Sequence, residues 1–127
     1  MVTFRSRYSL EQFRHVLQPV AHNIALKAVQ KLNGRVAIKA LDGQLLYVET
    51  ENFSIRFNKR TISYWDYRRK LFFQIEEHPY TDGNMVKIVC QGKGKAVRRR
   101  AEKFIANLMK GVKPDSVFSL KKFTRKA

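Results

Sequence analysis

Two stretches of the chain carry residue types able to hold phosphates and bases. The first, QGKGKAVRRRAEK at 91–103, alternates glycine with lysine and then runs into three arginines. Gly92 and Gly94 allow the backbone to approach a ligand closely, and Lys93 and Lys95 add charge beside it. A helix starting here would offer exposed N–H groups and the positive end of its dipole to an anion. Arg98, Arg99, Arg100 and Lys103 then sit at the start of that helix, where cations weaken an isolated one. A sequence that breaks a cheap local rule often does so for a site. Charge runs are commonly just solvated faces, but the glycine–lysine entry and the overall charge favour phosphate contact here. The spacing is not that of a nucleotide-binding P-loop: GxxxxGK[ST] is absent, and Ala96 stands where the hydroxyl residue belongs.

The second stretch is TISYWDYRRK at 61–70, with Lys59 and Arg60 just upstream. Strand alternation puts Thr61, Ser63, Trp65 and Tyr67 on one side and Ile62, Tyr64, Asp66 and Arg68 on the other. Aromatic faces between cations suit single-stranded nucleic acid: stacking contributes ~1–3 kcal/mol per base while cations follow the backbone. Tyr64, Trp65 and Tyr67 are the expected stacking residues, and Arg68, Arg69 and Lys70 the expected phosphate contacts. An aromatic on a sheet is commonly core, so the side taken by Trp65 decides its role. Toward the helices it is core; toward solvent it belongs to a stacking platform.

Catalytic chemistry has less support. His15, His22, His78 and Cys90 do not make up the usual zinc sets. Glu76, Glu77 and His78 in IEEHPY form the one cluster suited to acid–base or metal-assisted phosphodiester cleavage. Adjacent strand residues point to opposite faces, so Glu76 and Glu77 do not share one proton or metal within a strand. His78 before Pro79 reads as the end of that strand. No catalytic residue, metal ligand or cofactor is therefore assigned, and a small nuclease is the minor reading.

The totals bound the rest. The chain has 127 residues, 44% of them hydrophobic, a size and composition suited to one domain with a real core. Twenty-six Lys and Arg against ten Asp and Glu give a net charge of +16 and a pI near 10.4. Such self-repulsion costs a compact domain stability, so it is expected to serve a polyanionic partner, of which nucleic acid is the commonest. Residues 91–127 hold twelve of the cations and two of the acids. The single cysteine rules out an internal disulfide and suits a reducing compartment. No apolar run approaches the ~18 residues of a membrane span, and the N-terminus lacks the apolar stretch of a secretory signal. The expectation is an intracellular protein, cytoplasmic or nucleoid-associated.

The elements that position these residues follow from periodicity. Ser9 and Gln12 make a capping-box pair. Phe13, Leu17, Val20, Ile24, Ala28 and Leu32 then form one helical stripe, interrupted by Pro19, which kinks the helix or starts a second one. Asn33-Gly34 reads as its C-cap. From Arg35 the period becomes two. RVAIKAL, Asp42-Gly43 and QLLYVET read as a hairpin, and FSIRFN, TISYWDY, KLFFQIE and MVKIVCQ continue the alternation. Helical period returns after Gly94, with Val97, Ala101, Phe104, Ile105, Leu108 and Val112 on one face. Gly111 and Pro114 mark its end. The fold expected is α+β: an N-terminal helix, an antiparallel meander of five to six strands, and a C-terminal helix packed on one sheet face. Residues 1–113 would form the single domain and 114–127 a basic tail.

The function expected is non-catalytic binding of RNA or DNA, with RNA or single-stranded DNA favoured over duplex. The alternative is a protein-interaction module that docks a basic surface onto an acidic partner or a larger nucleoprotein complex. A membrane-surface role for the C-terminal helix is disfavoured, because Phe104, Ile105 and Leu108 are what a core needs. Exposed edges of a meander are compatible with a homodimer.

Overall fold

The computed structural model describes residues 2–31, 35–77, 86–92 and 95–113. Its elements run β1 (Val2–Ser6), α1 (Leu10–Gln30), β2 (Val36–Leu41), β3 (Gln44–Thr50), β4 (Phe53–Phe57), β5 (Thr61–Asp66), β6 (Leu71–Glu77), β7 (Val86–Cys90) and α2 (Lys95–Leu108). The fold is α+β as expected, with seven strands rather than five or six. Strands β2 to β7 form the meander, and β1 closes it by pairing antiparallel with β7, giving the order β1-β7-β6-β5-β4-β3-β2. Helical capping at Ser9 masks β1 in the sequence. Its alternation, Val2, Phe4 and Ser6 against Thr3 and Arg5, spans only five residues.

The capping box at the start of α1 is complete: Gln12 N–H donates to the Ser9 hydroxyl, and Ser9 N–H donates to the Gln12 amide oxygen, both at 3.1 Å. The helix continues unbroken through Pro19, which lies on its exposed side. The buried face is Leu10, Phe13, Leu17, Ala21 and Ala25, while Val20, Ile24 and Ala28 lie at its margin. Alanines at the contact allow a helix to sit close to a sheet. The helix ends at Gln30, so Asn33-Gly34 lies outside the described residues, as does the 81–84 turn. Asp42-Gly43 forms the hairpin turn with both residues at positive φ, 52° and 77°.

One face of the sheet is the core. Val48, Ile55, Tyr64, Phe73, Ile75 and Ile88 point into it, with Leu17 and Ala21 of α1 and Ala101 and Ile105 of α2 packed above. Gln18 fastens α1 to β3 from inside this layer. Its side-chain amide donates to the Leu45 carbonyl at 2.9 Å and accepts from the Leu45 N–H at 3.0 Å. Leu45 sits where the β2–β3 register shifts after Lys39, so the side chain satisfies strand groups that ordinary pairing leaves over.

Strand direction gives the domain two distinct ends. The β5–β6 turn, the β3–β4 turn, the exit of β7 and the start of β2 share one end. The C-terminus of α1 also reaches this end, since Ile24, Lys27 and Ala28 line a cavity with Phe53 and Asp66. The N-terminus of α2 follows directly from β7. The opposite end holds the start of α1, where Arg14 donates to the Asn58 carbonyl. It also holds the end of α2, where the Tyr8 hydroxyl donates to the Val112 carbonyl.

Candidate nucleic-acid interface

Register settles the two sides of TISYWDYRRK. Ile62 and Tyr64 face the helices, and Thr61, Ser63 and Trp65 face away from them. Tyr64 is 2% exposed. Its ring stacks on Phe73 at 4.8 Å and touches Phe53 and Phe104, which leaves no ring face for a base. Burial, helped by the Asp66 carboxylate and partly offset by the Arg69 guanidinium, pushes its hydroxyl up to about 12. Tyr64 therefore serves the core and leaves the stacking set.

Trp65 lies on the open face, half-buried. It pairs across the strands with Phe72, and Phe72 meets Tyr67 at a centroid distance of 5.7 Å in edge contact. The sequence reading missed Phe72 because KLFFQIE shows two adjacent aromatics, only one of which can be core. Its partner Phe73 takes the core side, and alternation sends Phe72 outward. Beside this cluster Ser54 and Ser63 keep the face low. A depression of about 290 Å3 runs from Trp65 across Gln74, Val89, Lys87 and Thr3. Further along the same face, the Arg56 guanidinium lies over the Tyr47 ring at 5.1 Å and pairs with Glu49 at 3.4 Å.

The cations divide by placement. Arg68, Arg69 and Lys70 form the β5–β6 turn next to Tyr67 and Phe72. Arg69 pairs with Asp66 at 3.6 Å. Lys70 holds the left-handed conformation at φ 50°. On α2, Arg98 is taken up within the chain: it bonds Glu102 at 2.7 Å and lies over Phe4 at 5.8 Å. Arg99, Arg100 and Lys103 are exposed, with no acidic partner among the described residues. Lys93, Gly94 and the side chain of Lys95 lie outside the described residues. Gly92 has a local structural reason: its φ is 125°, and a Cβ there would come within 2.7 Å of Val97 Cγ2.

The arginine helix and the tryptophan thus belong to opposite layers of the domain, with the sheet between them. They do not form one flat surface, but they meet at one end. There the β5–β6 turn, the β7 exit and the first turns of α2 come together. Lys27, Lys31 and Arg35, to which the sequence analysis assigned no role, join Arg68 around a cavity of about 400 Å3 at the same end. Glu51 and Asp66 are the acids in that lining.

The two acids of IEEHPY are separated by the strand. Glu76 pairs with Thr61 on the open face, and Glu77 alternates to the other side; His78 lies outside the described residues. No three His, Cys, Asp or Glu among the described residues are grouped to hold a metal. Cys90 is buried, and its thiol is pushed up to about 11, mainly by burial and secondarily by Glu102. Among the described residues no helix is long and apolar enough to cross a membrane. No protein-family model, curated protein or solved structure matches the chain.

Proposed function

We propose that the protein binds RNA or single-stranded DNA without transforming it. The phosphates run along the basic end of the domain, and unpaired bases reach the Trp65–Phe72–Tyr67 cluster on the open face. The observation that carries this reading is the juxtaposition at the β5–β6 turn. Three consecutive cations adjoin three exposed or half-exposed aromatics, on a sheet face that no helix of the described residues covers. Duplex DNA fits less well, because stacking on aromatic side chains requires bases freed from their partners. The described cations available for phosphate are Arg68, Lys70, Arg99, Arg100 and Lys103, joined by Lys27, Lys31 and Arg35. Binding would place the protein inside the cell, on naked nucleic acid or within a larger nucleoprotein complex.

The test is a titration of the full chain against labelled single-stranded RNA, single-stranded DNA and duplex DNA. Trp65→Ala should weaken single-strand binding by the worth of about one stacked base, ~1–3 kcal/mol or five- to hundredfold, with little effect on duplex. Equal losses on all three probes would remove the stacking platform. Binding to none of them, with tight binding to an acidic protein surface, would favour the interaction-module reading.

A further inference from the structure

Three of the five large apolar side chains that stand exposed among the described residues lie together on α1 and β2: Leu26 (58% exposed), Val29 (60%) and Ile38 (41%). Leu26, Val29 and Ile38 line one open cleft of about 420 Å3 with His22, Asn23, Ala25 and Leu45. The cleft runs beside β2, an edge strand of the sheet whose outer N–H and C=O groups have no strand partner among the described residues. Contiguous apolar exposure and an open edge at the same place mark an interaction surface. The other edge differs: β1 is flanked by Arg98 and Glu102 of α2 and bears none of these exposed apolar residues.

We propose that a second copy of this chain covers the patch, by antiparallel pairing of the two β2 strands about a two-fold axis at Ile38. This inference is independent of the nucleic-acid reading. Charge complementarity selects the occupant and the register. With Ile38 on the axis, Ala37 faces the partner's Lys39. Ala37 is also the cross-strand neighbour of Glu49. The row on the open face then reads Glu49, Ala37, Lys39 of the second copy, so Glu49, which pairs with Arg56 at 3.4 Å within its own chain, gains a second cation. Two strand spacings separate the charged pair by about 10 Å between Cα atoms, with only a methyl group between them. The axis supplies this contact twice.

On the opposite face the two Ile38 side chains meet at the axis, beneath Leu26 and Val29 of both α1 helices. A two-fold interface requires such a self-complementary patch. Antiparallel pairing also places the basic end of each copy beside the other end of its partner. The two concentrations of charge then stand at opposite ends of the assembly. The two sheets become one, and their open faces lie side by side.

Sedimentation velocity on the full chain tests this, at about 0.5 M salt, where screening shortens charge repulsion to a few Å. The wild-type protein should sediment as twice 14.9 kDa at micromolar concentrations. Leu26→Glu/Val29→Glu, at positions already exposed in one copy, should raise the dissociation constant by about a hundredfold. The charge variants are compared at about 0.15 M salt, where a close pair is screened less. There Lys39→Glu sets like charges together at both copies of the contact and should weaken the dimer by about tenfold. In an Arg56→Ala background, which keeps the new lysine from meeting a like charge, Lys39→Glu/Glu49→Lys should recover it. Unchanged far-UV circular dichroism for each variant shows that the monomer is still folded. A wild-type monomer, a dimer indifferent to Leu26→Glu/Val29→Glu, or a double charge swap that fails to recover association would each overturn the proposal.

Discussion

The salt dependence of the proposed binding follows from which cations are already spent inside the chain. Arg98 bonds Glu102, Arg69 pairs with Asp66, and Arg56 pairs with Glu49. At the basic end, Lys27, Lys31, Arg35, Arg68, Lys70, Arg99 and Arg100 have no such partner among the described residues. If about five of them meet phosphates, log affinity for a single strand falls against log salt with a slope of roughly −3.5, at about 0.7 per contact. Between about 50 and 200 mM salt that is a loss of roughly a hundredfold. Removing Arg68 and Lys70 together should bring the slope to about −2 and the loss to roughly twentyfold. Arg69→Ala should change it less, since Asp66 already neutralises that guanidinium and is left behind as a bare carboxylate. Fluorescence anisotropy with a labelled oligonucleotide of about 20 nucleotides, titrated at three or four salt concentrations, reads these slopes directly. The reasoning fails if Arg68→Ala/Lys70→Ala leaves the slope unchanged, or if Arg69→Ala alone reduces it as much as the pair does.

Other expectations concern the frame that holds the site. Gln18→Leu should cost about 2–4 kcal/mol, because the Leu45 N–H and C=O lose their partners while still buried, and urea unfolding should show an earlier midpoint. Gly92→Ala should cost about 1–3 kcal/mol through its φ of 125° and the 2.7 Å approach to Val97. Adding Val97→Ala should recover part of that loss, which a purely backbone effect would not allow. Cys90 should resist alkylation at neutral pH and react only as the protein unfolds. Its thiol ionises at about 11 in the folded chain against an ordinary 9.0, so ionisation favours the unfolded state. That contribution to stability is complete below about pH 9 and lost as pH rises toward 11, and Tyr64 acts in the same direction at higher pH. Thermal unfolding between pH 7 and 11 should show the decline, and Cys90→Ala should shift its onset upward.

Much of the architecture was legible in local signals. Ser9 and Gln12 marked a helix start, Asp42-Gly43 a hairpin, and the change of period from 3.6 to 2 and back placed the sheet between two helices. These depend on residues near one another in sequence, where backbone sterics and side-chain reach decide the outcome. The alternation in TISYWDYRRK likewise separated Tyr64 from Trp65 before any fold was known, because successive strand side chains must point to opposite faces.

Which of those faces meets the helices is a long-range matter. It depends on Phe53, Phe73 and Phe104 packing against Tyr64, contacts between positions 9 to 40 residues apart in the chain. The same is true of the charges. The sequence by itself determined that this is an α+β domain with a large cationic excess concentrated after residue 90. Only the tertiary structure decided that Arg98 is spent on Glu102 and Phe4, and that Lys27, Lys31 and Arg35 join the β5–β6 turn at one end. The tertiary structure also placed the arginine helix and the tryptophan on opposite layers. Charge and period are properties of a chain read along its length, whereas a surface is an arrangement of neighbours that only packing brings together.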